Sequence, residues 1–259
     1  MPTVKFLGHV IPSAIQVSVS PIPEASWEEP SVGLKMKFRV VIEQSVVTVD
    51  CDINDYKDEY ISILHMRALD LSRATVDLMA FATGYAVSVF FDSFTKPDGS
   101  TQPLWFHDVR LAPLCTAVKI HPTTLDERKA LEAMIVTVLS EPALFMALND
   151  LIQANTVPHY APVNCGRAID GLRNILTPSI ADRDKSWPVL RSTINADKAY
   201  LDFVMTNSTG PRHGDRSHMP GTLVGEILQR TWIVMNRFLE FRKRGNKPLP
   251  LADFPMLIG

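Results

Sequence analysis

Residues 34–53 read LKMKFRVVIEQSVVTVDCDI. Val and Ile dominate this stretch, and apolar positions partly alternate with polar ones on either side of Glu43-Gln44-Ser45, which predicts two paired strands. The period then changes. Ile61, Leu64, Ala68, Leu71, Thr75, Leu78 and Ala82 recur at spacings of three and four, the pattern of one helix face. Asn54 or Asp55 can cap the start of that helix, Asp58 and Glu59 suit its positive end, and Gly84 is placed to stop it. Next, residues 85–94 (YAVSVFFDSF) and 102–111 (QPLWFHDVRL) flank Lys96-Pro97-Asp98-Gly99-Ser100, a turn-rich pattern that calls for a hairpin. Residues 1–121 are therefore expected to form an α+β module of order β-β-α-β-β.

From His121-Pro122 onward strand-like alternation ceases and every apolar segment has helical spacing. Thr123 or Thr124 with Glu127 resembles a capping box, and the helix it opens runs through Leu131, Ile135, Val138 and Leu139, with Pro142 kinking or restarting it toward Ile152. Pro162 to Leu176 supplies a second helix, ended by Thr177-Pro178. Trp187 to Ile194 and Asp197 to Thr206 supply shorter pieces, and residues 207–211 (NSTGP) break the chain. Leu223 to Arg244 puts Ile227, Thr231, Val234, Met235, Phe238 and Phe241 on one face and ends at Gly245-Asn246. Residues 122–259 are expected to be an all-α bundle of four or five helices.

An apolar fraction of 46% over 259 residues excludes a disordered chain, and 19 Pro against 12 Gly imply stiff loops between elements. The longest apolar run, Leu78 to Phe91, is too short to span a membrane and contains Thr83, Gly84, Tyr85 and Ser88. His9, Pro12 and Gln16 interrupt what would have to be the apolar region of a secretion signal, so a cytoplasmic location is expected. Cys51, Cys115 and Cys165 lie far apart without Cys-x-x-Cys spacing and read as small apolar residues. No metal site follows from the spacing of His65, His107, His121 and His159, and no cofactor motif is present. Charge is unevenly divided. Residues 1–160 carry 12 Lys and Arg against 19 Asp and Glu, a net −7, whereas residues 161–259 carry 14 against 9, a net +5. A basic second half suits a solvated surface or one that meets a polyanion.

The densest titratable stretch is residues 210–221, GPRHGDRSHMPG. Two Arg supply fixed positive charge that can hold phosphate, beside His213 and His218, which can move protons near neutral pH. That combination suits metal-independent cleavage of RNA, in which a base takes the ribose 2′-OH proton, a cation stabilises charge on phosphorus and an acid protonates the leaving 5′-oxygen.

Arg212-His213-x-x-x-x-His218, at the junction of the last two bundle helices, resembles the Arg, polar residue, then His motif of HEPN domains. The resemblance covers roughly residues 123–245. It implies a helical bundle that dimerises and, in many members, a metal-independent endoribonuclease of toxin-antitoxin, abortive-infection (phage defence) or CRISPR-linked systems; other members are inactive binding or dimerisation modules. By that resemblance Arg212 and His218 would be the catalytic pair, Arg212 clamping phosphate and His218 acting as general acid/base, with His213 as the polar residue after the Arg.

A bland reading of the same loop pairs Arg212 and Arg216 with Asp215 and Asp202 and leaves the histidines at the surface. Arg216 is otherwise a supporting substrate contact. A second candidate face is Arg167, Asp170 and Arg173, spaced at three on one helix: it is either an ion-pair ladder or a group in which an acid orients the active histidine while the arginines meet RNA. Trp187 and Trp232 read as core or dimer contacts, and the apolar stripe from Trp232 to Phe241 is a candidate dimer surface. The expectation is thus a cytoplasmic, homodimeric, cofactor-free ribonuclease acting on RNA. Its N-terminal module would sense or regulate, with a regulatory protein partner conceivable and no membrane contact. The alternative is a non-catalytic HEPN-like module that binds a nucleotide or RNA, or dimerises.

Overall fold

The computed structural model describes every residue except 21, 105–109, 158–159 and 215–218. The chain divides into two units, Met1–Phe106 and His107–Gly259.

The first unit contains β1 (Thr3–Ile11), β2 (Ala25–Glu29), β3 (Leu34–Glu43), β4 (Val46–Ile53), α1 (Ile61–Thr83), β5 (Ser88–Thr95) and β6 (Thr101–Pro103). The strands form one antiparallel sheet of order β2-β3-β4-β1-β5-β6. Strands β3 and β4 are the pair expected from residues 34–53. They are joined by Gln44 and Ser45, whose φ angles of 48° and 66° give the two-residue turn that matches strand twist. With a side-chain period of two, Met36, Phe38, Val40 and Ile42 enter the core together with Val47, Val49, Cys51 and Ile53. Helix α1 covers that face of the sheet.

Strands β1 and β2 were not read from the sequence. Strand β1 is central, between β4 and β5. Its inward positions are Val4, Phe6, Gly8 and Val10, so a glycine stands where an apolar side chain would have marked the alternation. The glycine is required: a Cβ at residue 8 would overlap Phe90 O and lie 2.7 Å from Phe91 Cα, beside a register shift between Leu7 and Gly8.

Helix α1 also departs from expectation at its start. Asn54 does not cap it; its side chain accepts from Lys35 N at 2.8 Å and donates to Gly33 O at 3.1 Å, fixing the β2–β3 turn. A 3-10 turn at Asp58–Tyr60 leads in instead, with Tyr56 Oη and Lys96 Nζ both donating to Asp58. Gly84 ends the helix in the left-handed region, as its position implied. Leu64, His65, Ala68, Leu69, Ser72 and Val76 are buried, whereas Leu78 and Phe81 are exposed.

The second unit holds α2 (Leu125–Ser140), α3 (Pro142–Thr156), α4 (Ala161–Leu176), α5 (Ser186–Ile194), α6 (Lys198–Arg212) and α7 (Gly221–Lys243). The fold class is an α+β module followed by a helical bundle. Thr124 and Glu127 form the expected capping box on α2, and Pro142 restarts the chain as α3 at a bend of 102°. Helix α4 packs against α3, α5, α6 and α7. Residues Ile227, Thr231, Val234, Met235, Phe238 and Phe241 of α7 are buried in the unit's own interior, so the stripe proposed from sequence as a dimer surface is used up within the chain. Trp187 and Trp232 are partly buried against the same core.

Two segments outside the helices are pinned to α7. Asn236 Oδ1 accepts from Thr116 N and Ala117 N at 2.8 and 2.9 Å, and Leu111 and Ala117 enter the helical core, so this stretch lies with the second unit rather than with residues 1–106. Near the C-terminus, the buried Arg237 guanidinium donates to Ile194 O, Asn195 O and Pro255 O at 2.7 to 2.9 Å, while Asn195 Nδ2 donates to Leu249 O and Phe254 O. Among the described residues no single helix is long and apolar enough to cross a membrane. Cys51 and Cys165 are buried, and burial pushes both thiols up to about 12.

Three outcomes follow for stability. Gly8→Ala destabilises the first unit by about 1–3 kcal/mol in chemical denaturation, because backbone and an aromatic ring must move. Arg237→Ala leaves three carbonyls without a donor and costs about 3 kcal/mol or more, with faster hydrogen exchange in residues 247–259. Glu127 is held down to about 2, first by the Lys119 ammonium and then by the Thr123 and Thr124 donors. A depressed carboxyl stabilises the fold above its ordinary value of 4.5 and loses that contribution as pH falls toward 2. Melting of the Glu127→Gln variant is therefore less dependent on pH across that window than melting of the parent.

Candidate functional site

Helix α6 is longer than the sequence suggested. It runs through Gly210-Pro211 and ends at Arg212, with the Asp197 side chain capping its start by accepting from Tyr200 N at 2.7 Å. Pro211 lies in the last turn, so the donor it lacks leaves the Asn207 carbonyl without its intrahelical bond and disturbs no further turn. His213 closes the helix, its N–H donating to Thr209 O and Gly210 O, and Gly214 follows with φ 87°. His213 itself is exposed. Arg216 and His218, along with Asp215, lie outside the described residues.

The extra turn of α6 carries Arg212 across α4. Its Nη1 donates to Asp170 Oδ2 at 3.0 Å, and Asp170 Oδ1 lies 3.2 Å from Arg173 Nη2. The two candidate groups, the arginine ahead of the loop and the Arg167-Asp170-Arg173 face of α4, are thereby one site, joined across 42 residues of chain. The pairing of Arg212 is with Asp170, and Asp202 takes Lys198 instead. Within the face, Asp170 and Arg173 form the intrahelical pair, whereas Arg167 turns outward to Asp150 of α3 at 3.3 Å.

Gly166 makes the crossing possible. A Cβ there would lie 2.5 Å from Ser208 Oγ and 2.7 Å from Arg212 Nη2. The guanidinium could swing aside, but Ser208 Cβ, also 2.7 Å away, moves only with the α6 backbone, so α6 can lie this close to α4 because residue 166 presents backbone alone. Ser208 is fully buried and its hydroxyl donates back to Met205 O at 2.8 Å.

Exposure grades the charges. Arg173 is nearly buried with its guanidinium 4.6 Å from the centre of the Trp187 ring, so it is a fixed internal cation. Arg212 and Asp170 are partly open, with side-chain exposures of 27% and 26%, and Arg167 is the most open at 54%. Asp150 is sheltered, and burial raises its carboxyl from the ordinary value even though Arg167 and Arg212 both pull it down. Three guanidinium groups and two carboxylates leave this patch one positive charge in excess. An anion from solvent meets Arg167 and the open edge of Arg212 first.

Asp150, Gly166 and Ser208 were not singled out from sequence. An isolated glycine inside a helical pattern was the available signal for Gly166, since it costs helix stability unless a neighbour needs the space. Among the described residues no group of three or more His, Cys, Asp or Glu side chains is placed to hold a metal ion.

Residues 4–105 match the N-terminal domain, and residues 131–243 the C-terminal domain, of DUF8168, each described as a domain of unknown function. No curated protein and no solved structure matches the chain.

Gly166→Ala is expected to force α6 away from α4, lowering stability by about 1–3 kcal/mol in urea. Combining it with Ser208→Gly, which removes the two Ser208 atoms the new methyl meets and leaves only the flexible Arg212 end, restores part of that loss. Equal stability of Gly166→Ala and the parent would contradict this packing.

Proposed function

We propose that this chain, which belongs to the DUF8168 family, is a cytoplasmic, metal-independent endoribonuclease of HEPN type, acting as a homodimer in phage defence or toxin-antitoxin biology. The observation that carries the reading is Arg212 at the end of α6, bound to Asp170 on a face that also bears Arg167 and Arg173, just ahead of the segment containing His218. It gives the arginine of the Arg-His motif a defined position and cationic neighbours, which phosphodiester chemistry requires and the motif spacing alone does not supply.

In this reading a phosphate of single-stranded RNA meets Arg167 and the open edge of Arg212. The neighbouring 2′-oxygen loses its proton to a base and attacks phosphorus. Arg212 stabilises the charge that develops on the non-bridging oxygens. The bond to the 5′-oxygen breaks as an acid delivers a proton to it, leaving a 2′,3′-cyclic phosphate and a free 5′-hydroxyl. His218 supplies the acid/base function, and Asp170 holds the Arg212 fork in place. The first unit then has a sensing or regulatory role, with a protein partner as its source of control.

One observation favours a second reading, a module that binds a nucleotide or RNA without turnover. Arg212 and Arg173 share one carboxylate, so much of their charge is already balanced within the protein. Binding to such a site depends on salt and on Arg212, and survives loss of His218.

The two readings part on incubation of the purified protein with mixed single-stranded RNA and transfer RNA in excess EDTA. The nuclease reading expects cleavage with 2′,3′-cyclic ends that falls by at least about 100-fold in Arg212→Ala and in His218→Ala, both remaining folded. Salt-sensitive binding with intact RNA, kept by His218→Ala and lost in Arg212→Ala, selects the binding module.

A further inference from the structure

We propose that the outer face of α2 and α3 is the surface through which two copies of this chain associate. The inference supplies a surface for the dimer proposed above and rests on that reading. Helix α2 buries a single side chain, Met134, and α3 turns Leu144, Ala147, Leu151 and Ala154 inward. What stays open on their other sides includes six large apolar side chains, standing among the exposed Arg128, Lys129, Glu132, Asn149 and Gln153. Ile135, Val136 and Leu139 of α2 are 50%, 62% and 71% exposed, and Phe145, Met146 and Ile152 of α3 are 49%, 47% and 45% exposed. Amphipathic helices of a bundle place polar residues on such sides, and here large apolar residues stand among them.

The size of the face bears on its occupant. At about 100 Å² of open surface for each of these side chains, one copy presents about 600 Å² over two helices set at 102°, an area comparable to the largest apolar patches of monomeric proteins. Two copies together would then bury about 1,200 Å², where specific protein interfaces begin.

Charge points the same way. Across the helix pair the acids Glu127, Glu141 and Asp150 are each matched by a basic group of the same chain, Lys119, Arg242 and Arg167. Asp126 and Glu132 remain against Arg128 and Lys129, so the face is close to neutral. A two-fold contact brings this surface against itself without an excess of like charge. By length and composition the bent α2–α3 pair also passes as a broken membrane span; the balanced charge gives it no basic excess to hold an anionic surface or a nucleic acid.

The test is sedimentation equilibrium of the full chain between about 1 and 100 µM, for the parent, for Leu139→Glu, and for the milder double variant Val136→Ser/Leu139→Ser, with circular dichroism as the check on folding. The expected result is a parent dimer whose dissociation constant rises by about 100-fold or more in Leu139→Glu and by a smaller factor in the double variant, with helicity unchanged. A parent that stays monomeric throughout overturns the dimer itself. A parent dimer that both folded variants retain keeps the dimer and overturns this face.

Discussion

The second unit depends on the absence of a side chain at residue 166. Helix α4 is the element that α3, α5, α6 and α7 all touch, and it is crossed by α6 where Gly166 lets Ser208 and the Arg212 guanidinium approach its backbone. A close-packed interior passes such a constraint onward, because neighbours have no free volume in which to absorb a shift. Arg212 reaches Asp170 as a result, Asp170 also orders Arg173, and Arg173 lies over Trp187 at the start of α5. One missing methyl group thus connects helix packing to the placement of the charges that make up the candidate site.

The same economy appears in the first unit, where Gly8 lets β5 pass close to the centre of the sheet. At residue 8 glycine also conceals the pattern that would have announced the strand, whereas the helix around Gly166 was legible. Strand β1 alternates Val4, Phe6 and Val10 with a gap at residue 8, and a gap in a short strand removes much of the periodic signal. The β3–β4 pair, by contrast, keeps an apolar residue at every inward position on either side of a polar break, and it was legible. So were the α2 capping box, the restart at Pro142 and the single apolar face of α7, though that face is spent inside the unit and not on a dimer contact.

What stayed hidden depends on contacts distant in sequence. The run of residues 207–211 reads as a break, yet α6 continues through it, because Pro211 falls in the final turn and the packing against α4 holds that turn in place. Arg212 then finds Asp170, a partner 42 residues away that no spacing rule would have selected. Asn54 likewise serves a turn of the sheet instead of the following helix. Local propensity offers such residues several uses, and tertiary contacts decide among them.

For function, the consequence is that Arg212 is held by Asp170 and is not a free loop cation. A double-mutant cycle on Asp170→Asn and Arg212→Gln, followed by urea denaturation at low salt, tests it most directly. A coupling free energy of about 1 kcal/mol or more is expected, since a partly sheltered ion pair shared with a buried arginine exceeds an exposed one. Strictly additive effects of the two substitutions would show that Arg212 and Asp170 do not act together, and would contradict it.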